Sequence, residues 1–124
     1  MKQFLVALVF LASLSITSQN KIIYNDVAQD LLQNIMDEKS YDKEVQILAE
    51  STLEDLTAEL TTDTKKLAFW INVYNAFIQI SLTENPKEYD DRGAFFKKPR
   101  VKIAGETLSF DDMEHDIMRK SRVK

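Results

Sequence analysis

The chain has 124 residues and a formal net charge of −4, and this length suits one domain rather than two. Its mild acidity argues against a general nucleic-acid binder, because such proteins carry clustered positive charge. Cysteine is absent, so the fold depends on packing without disulfides, and no thiol in this chain can act as a nucleophile.

The first residues have the pattern of an export signal. Lys2 supplies a short positive start, an apolar run extends from Phe4 to Leu14, and small polar residues follow up to Ser18. This order predicts a signal peptide over residues 1–18, cleaved near Ser18 or Gln19, and an exported protein that is periplasmic or secreted. An uncleaved membrane anchor is the alternative. The apolar run is short for a bilayer span, so we expect no stable membrane span after signal removal.

Residues 19–66 are predicted to form an N-terminal helical region. Asn25 is a candidate N-cap for a first helix that ends near Lys39 and Ser40. The segment 41–50 fits either a short helix or an extended link. Ser51 followed by Glu54 has the spacing of a capping box. The helix that it opens is predicted to have one apolar stripe, formed by Leu53, Leu56 and Leu60.

The segment 67–82, LAFWINVYNAFIQISL, is predicted to be the central helix. Its apolar side chains cover nearly the whole circumference, which is typical of a helix buried in a core or in a membrane. The run is shorter than the roughly 20 residues that span a bilayer, so burial in a protein core is favoured. Thr62 or Asp63 is the predicted cap, and the helix is expected to stop before Pro86.

The last third of the chain contains a hairpin signal. Residues 86–98 are predicted to form an irregular loop whose pair Phe95–Phe96 packs back onto the core. Strands on either side of Ala104–Gly105 are predicted to form a tight β-hairpin. Ser109 is the expected cap of a final helix with Asp112 in its first turn. Its buried stripe is Phe110, Met113 and Ile117. The predicted fold class is therefore α+β, mostly helical with one β-hairpin.

His115 is the one histidine, so any imidazole chemistry in this chain must use it. Asp111 precedes it by one helical turn, and Glu114 and Asp116 flank it. A carboxylate at that spacing can hold the imidazole in one tautomer, which indicates a base or an orienting partner. The alternative is a surface or capping histidine in an acidic helix. One histidine and one carboxylate make half a metal site, so we predict no metal and no cofactor.

Two further groups of polar residues could contribute to a site. Asn72 and Asn75 lie one turn apart on the central helix, where buried amides must either cross-link neighbouring backbone or line a small polar pocket. A basic run lies near the hairpin, and strand alternation predicts that Arg100 and Lys102 share one exposed, solvated face. The basic run comprises Lys97, Lys98, Arg100 and Lys102. An anionic glycan or phosphate ligand there is the functional alternative.

Three segments resemble the domain-of-unknown-function 547 family. The sequence FWINVYNA at 69–76 is similar to the family motif FWINLYNA, and FFKKPRV at 95–101 is similar to its next block. The stretch SFDDMEHDIMR at 109–119 is similar to SLDDIEHGILR, with Asp116 at a position where a small residue is usual and Met118 where leucine is usual. The order of the three motifs identifies residues 67–124 with the N-terminal half of that domain.

The resemblance also implies what this chain lacks. Members of the family continue into a strand and a cysteine-containing segment, so the chain is expected to be an incomplete copy with a missing C-terminal half. The implied full domain is a thiol-dependent hydrolase or transferase in which His115 activates the cysteine and Glu114 or Asp111 orients the ring. Asn72 or Asn75 would donate to a substrate or oxyanion. The fragment itself is expected to be inactive, and its partners are unknown. The alternative is a non-enzymatic binding module whose Phe95–Phe96 and basic hairpin contact the cell envelope.

Overall fold

The structure is a computed structural model that describes residues 21–118, with side chains up to His115. The predicted signal peptide lies outside these residues. In the described part, each helix is too short or too polar to cross a membrane. The elements in chain order are α1 (Tyr24–Met36), α2 (Asp42–Ala49), α3 (Leu53–Glu59), α4 (Asp63–Glu84), a 3₁₀ helix (Pro86–Asp90), α5 (Arg92–Lys97), β1 (Val101–Ile103), β2 (Glu106–Leu108) and a π-helix (Asp112–Met118).

The described chain is mostly helical with one antiparallel hairpin, which confirms the predicted fold class. The core lies along one side of α4, where α1 packs against it from the N-terminal part of the chain and the π-helix from the C-terminal part. Large apolar side chains from seven of these elements fill the core. The most deeply buried ones are Leu31, Leu48, Phe69, Val73, Phe95, Val101, Ile103, Phe110 and Met113.

Helix α4 is buried in the protein core, as predicted, but on one face rather than over its whole circumference. Its buried residues are Phe69, Val73, Ala76, Phe77 and Ile80. The opposite face keeps a large exposed share, and 41% of the Ile71 surface remains accessible. The helix begins at the predicted cap, because the Thr62 hydroxyl accepts from the backbone N–H of Lys65 at 3.1 Å, and it ends before Pro86 as expected.

The start of α1 is held by a residue from another helix. Asn25 is not the N-cap, because α1 begins at Tyr24 and Ile23 occupies the cap position. The Glu59 carboxylate on α3 accepts from the backbone N–H groups of Tyr24 at 2.7 Å and Asn25 at 3.0 Å. An anionic group suits a helix N-terminus, where unpaired N–H groups and the helix dipole both favour negative charge. The helix ends at Met36, before the predicted end.

The capping box predicted at Ser51 and Glu54 is displaced by one residue. Thr52 caps α3 by accepting from the Asp55 N–H at 3.1 Å, and the segment before it is the short helix α2. Leu53 is 67% exposed, so the predicted leucine stripe of α3 reduces to Leu56 and Leu60. The freed Ser51 hydroxyl is buried and serves a different purpose: it bonds to the end of α2 and to the hairpin.

The hairpin forms where it was predicted. Val101 pairs with Leu108, and Ile103 pairs with Glu106. The connecting Ala104 and Gly105 have φ angles of 54° and 81°, and two successive positive φ angles are the signature of a two-residue type I′ turn. The preceding segment is not an irregular loop, because it contains the 3₁₀ helix and α5.

Candidate functional site

The turn that carries His115 is anchored by a reciprocal cap and two buried side chains. The Ser109 hydroxyl accepts from the Asp112 N–H at 3.0 Å, and the Asp112 carboxylate accepts from the Ser109 N–H at 3.0 Å. Phe110 and Met113 are fully buried beneath this turn, whereas the side chain of Ile117 lies outside the described part. The anchoring leaves Glu114 and His115 exposed on the outer side.

Tyr74 connects this turn to the central helix. Its hydroxyl donates to Glu114 Oε2 at 3.1 Å, and its ring meets Phe110 edge to face at 5.6 Å. Burial, the bond to Glu114 and the negative charges of Glu114 and Asp111 raise the pKa of Tyr74 to about 12. The phenol therefore stays protonated at neutral pH and can act as a stable donor to the carboxylate.

Asp111 and His115 were predicted to stack one helical turn apart on an α-helix, and the structure does not place them in that way. The turn between them is π-helical rather than α-helical, so backbone bonds span five residues and side chains four apart are no longer stacked one above the other. Asp111 is half-buried and His115 is exposed. No hydrogen bond joins the imidazole to any other described side chain. The catalytic roles of His115, Glu114 and Asp111 stay predictions, and the structure brings all three to one turn.

The two asparagines of α4 face different surroundings. Asn72 is half-buried and lines a shallow cavity of about 370 Å³ between α4 and α1, together with Asp30, Gln33 and Met36. Asn75 is exposed. Burial of both amides was therefore a wrong expectation. Of the two, Asn75 lies on the open face of α4, and Asn72 faces α1.

That open face carries several apolar side chains that are incompletely buried, and we call it the α4 face. It surrounds Asn75 and borders Tyr74. All of its apolar members except Ala68 are large, and they are half-buried or exposed. Its members are Leu67, Ala68, Ile71, Ile78 and Leu82. Apolar side chains gathered on one open face are a candidate interaction surface.

The basic hairpin does not form the exposed face that was predicted. The Arg100 side chain is 11% exposed and donates to Glu88 Oε1 at 3.0 Å, to the Phe95 carbonyl oxygen at 3.0 Å and to Ser81 Oγ at 3.3 Å. Its guanidinium also lies 4.7 Å from the centre of the Phe95 ring. Lys102 is exposed on its own. Arg100 thus acts as a brace, a side chain that links several segments by hydrogen bonds. Phe95 is buried and Phe96 is half-buried, which confirms that the pair packs onto the core.

Sequence reasoning missed Tyr74 as a site residue. Its place in an apolar stripe suggested packing alone, although a partly buried tyrosine needs a partner for its hydroxyl. That partner lies 40 residues further along the chain, so spacing within the helix could not reveal it. Within the described residues, no group of three or more histidine, aspartate or glutamate side chains is arranged to hold a metal ion.

Comparison with known proteins supplies one match. A family model described as protein of unknown function, DUF547, matches residues 57–124, which is more than half of the chain. The match includes α4, the hairpin and the His115 turn, and it begins ten residues before the boundary predicted at 67. Neither a curated protein nor a solved structure matches the sequence.

Proposed function

Because the chain belongs to the DUF547 family of proteins of unknown function, we propose that it is the histidine-bearing half of a thiol-dependent hydrolase or transferase. One observation carries the proposal: Glu114 and His115 stand exposed on a capped turn, tied by Tyr74 to the border of the α4 face. An imidazole and a carboxylate on a fixed turn are the parts of a catalytic set that activate a nucleophile. The 124 residues contain no cysteine, so the proposal places the nucleophile outside them.

Each residue has a role in the completed site. His115 takes the proton of the cysteine thiol, and the thiolate attacks the carbonyl carbon of an acyl substrate. The protonated imidazole then gives the proton to the leaving group, and water or a second acceptor releases the acyl group from sulfur. Glu114 or Asp111 stabilises the imidazolium. Asn75, whose amide is exposed on the α4 face, is better placed than Asn72 to donate to the oxyanion.

The α4 face indicates where the completing segment would pack. The family resemblance implies a following segment with a strand and a cysteine, and apolar surface next to Tyr74 offers that segment a place to bury its own apolar side. A cysteine brought to this border would meet the His115 turn. We also propose that the protein works outside the cytoplasm, on the basis of the apolar N-terminal run and the small residues that follow it.

A binding module that uses Phe95–Phe96 and the basic hairpin receives less support. Phe95 is buried in the core and Arg100 is bound to Glu88, so neither offers a contact surface. Of the remaining exposed lysines, Lys98 is paired with Glu88 at 2.7 Å, and Lys97 and Lys102 are exposed to solvent. The structure offers this alternative no specific observation in its favour.

The experiment begins with the coding DNA beyond Lys124, examined in all three frames for a strand and a cysteine. The restored protein and the 124-residue chain are then assayed on thioesters, esters and amides. We expect turnover by the restored protein only. Replacing its cysteine with alanine should abolish turnover, and His115→Ala should lower kcat/KM by about 10²-fold or more. Lys102→Ala, on the exposed side of the hairpin, is the control. Turnover by the 124-residue chain, or a rate unaffected by His115→Ala, would contradict the proposal.

A further inference from the structure

The Tyr74 hydroxyl is the one described side-chain group that joins α4 to the His115 turn by a hydrogen bond. We propose that Tyr74 is the positioning residue of this site: by donating to Glu114 Oε2 it fixes the carboxylate in one orientation. Glu114 Oε1 is then left as an acceptor for substrate, and the carboxylate charge held in that orientation acts on the adjacent His115 imidazole, which makes no hydrogen bond to a described side chain. The chemical consequence rests on the proposed function, whereas the positioning itself is a property of this chain.

Both ends of this contact are held by rigid parts of the fold. Tyr74 follows the fully buried Val73 on α4, and its ring lies edge-on to Phe110, which is itself fully buried. Glu114 follows the buried Met113 on a turn closed by the Ser109 cap. A tyrosine has few rotatable bonds, so holding it in place costs little conformational entropy. The 3.1 Å bond therefore fixes an exposed glutamate that would otherwise sample many rotamers.

The electrostatics of the pair favour a permanent donor. The hydroxyl faces two carboxylates of the turn, Glu114 and Asp111, and together with burial these raise the pKa of Tyr74 to about 12. A phenol that stays neutral gives its hydrogen to the nearer carboxylate throughout the pH range in which imidazole gains and loses its proton. The orientation of Glu114 consequently does not depend on ionisation of the phenol at neutral pH.

A second tyrosine–glutamate pair in the same chain provides a matched control. Tyr41 donates to Glu84 Oε2 at 3.0 Å, joining the start of α2 to the end of α4. This pair has the same chemistry and nearly the same length, but Glu84 is far along the chain from the His115 turn. A role limited to tying two elements together would make Tyr74→Phe and Tyr41→Phe equivalent. If Tyr74 has a positioning role, Tyr74→Phe should change the His115 imidazole resonances and Tyr41→Phe should not.

The test observes the histidine directly. In the 124-residue chain, ¹⁵N-labelled histidine gives one set of imidazole resonances, because His115 is the sole histidine. We expect Tyr74→Phe to change the balance of the two neutral tautomers, Glu114→Gln to change it in the same way, and the double variant to add nothing further. Tyr41→Phe should match the parent protein. Identical imidazole spectra for Tyr74→Phe and Tyr41→Phe, with similar losses of stability, would overturn the proposal.

A second measurement covers the case in which Tyr74→Phe does not fold. Glu114 is exposed, so Glu114→Gln keeps the fold, and it removes one of the two charges that face the phenol. In the absorbance titration of the tyrosines, the component near pH 12 should then move part of the way toward 10, because burial, the largest cause of the raised Tyr74 pKa, and the charge of Asp111 both remain. An unchanged component near 12 would refute the contact. Neither measurement depends on turnover, so a failed assay of His115→Ala in the restored protein would reject the proposed function and leave this inference standing.

Discussion

Arg100 shows how one buried cation can organise a loop-rich region. Its guanidinium bonds to Glu88, to the Phe95 carbonyl oxygen and to Ser81, and it stacks on the Phe95 ring. Hydrogen bonds from Lys98 and Arg100 to Glu88 hold the pKa of that carboxyl below its ordinary value of 4.5. The ion pairs therefore contribute stability above that pH, and this contribution is lost as the pH falls through the lowered pKa.

Replacing Arg100 should lower the stability of the fold more than replacing a lysine of an ordinary surface ion pair. We expect Arg100→Met to lower the free energy of unfolding by about 2 kcal/mol, because the Phe95 carbonyl oxygen loses its donor and the ring loses its stacking partner. Lys98, whose side chain is 57% exposed, is the control, and Lys98→Met should cost less than about 1 kcal/mol. Urea unfolding at pH 7 and pH 4 measures both, and the fall of stability with acid should be smaller in Arg100→Met. Equal effects of the two substitutions would contradict the brace.

At the scale of elements, Ser51 joins three parts of the chain. Its hydroxyl donates to the Leu48 carbonyl oxygen at 2.7 Å, at the end of α2, and accepts from the Ala104 N–H at 3.0 Å in the hairpin turn. The residue is buried and directly precedes the Thr52 cap of α3. This hydroxyl thus fastens the hairpin turn to the end of α2, in addition to the packing of β1 against that helix.

Removal of this hydroxyl should cost more than removal of the neighbouring cap. Ser51→Ala leaves a buried carbonyl and a turn N–H without their partner, so we expect a loss of about 2 kcal/mol. Thr52→Ala removes an exposed N-cap, and we expect about 1 kcal/mol. Amide hydrogen exchange gives the sharper measurement: in Ser51→Ala the Ala104 amide should exchange faster while the Asp55 amide keeps its protection. The opposite pattern would assign the joining role to Thr52.

Elements with local causes were predictable, and those with distant causes were not. The Thr62 cap, the stop before Pro86, the type I′ turn and the Ser109–Asp112 cap each depend on residues within a few positions of one another. The start of α1 depends on Glu59, and the use of Ser51 depends on Ala104, 53 residues away. The Tyr74–Glu114 bond has the same character, so the sequence indicated the residues of the His115 turn but not the residue that positions them.

In the part of the chain that the structure describes, the core lies along one side of α4, and the α4 face lies outside it. The sequence predicted that α4 is apolar over nearly its whole circumference, and a helix of that kind is normally enclosed in a core. The described residues enclose only the stripe through Phe69, Val73 and Ile80. The second stripe forms the α4 face. A sequence pattern reports what a helix can bury, and the partner that buries it must be identified separately.

A single substitution on the α4 face tests whether a further segment covers it. In the 124-residue chain Ile71 is 41% exposed, so Ile71→Asp should change the free energy of unfolding by less than about 0.5 kcal/mol. In the restored protein the same carboxylate would be enclosed without a partner, and we expect a loss of about 3 kcal/mol or more. Gln29→Asp, exposed on α1, should be nearly neutral in both. Urea unfolding of the six proteins supplies the comparison. Equal effects of Ile71→Asp in the short and restored chains would mean that the α4 face stays open, and the completing segment would then have to pack elsewhere.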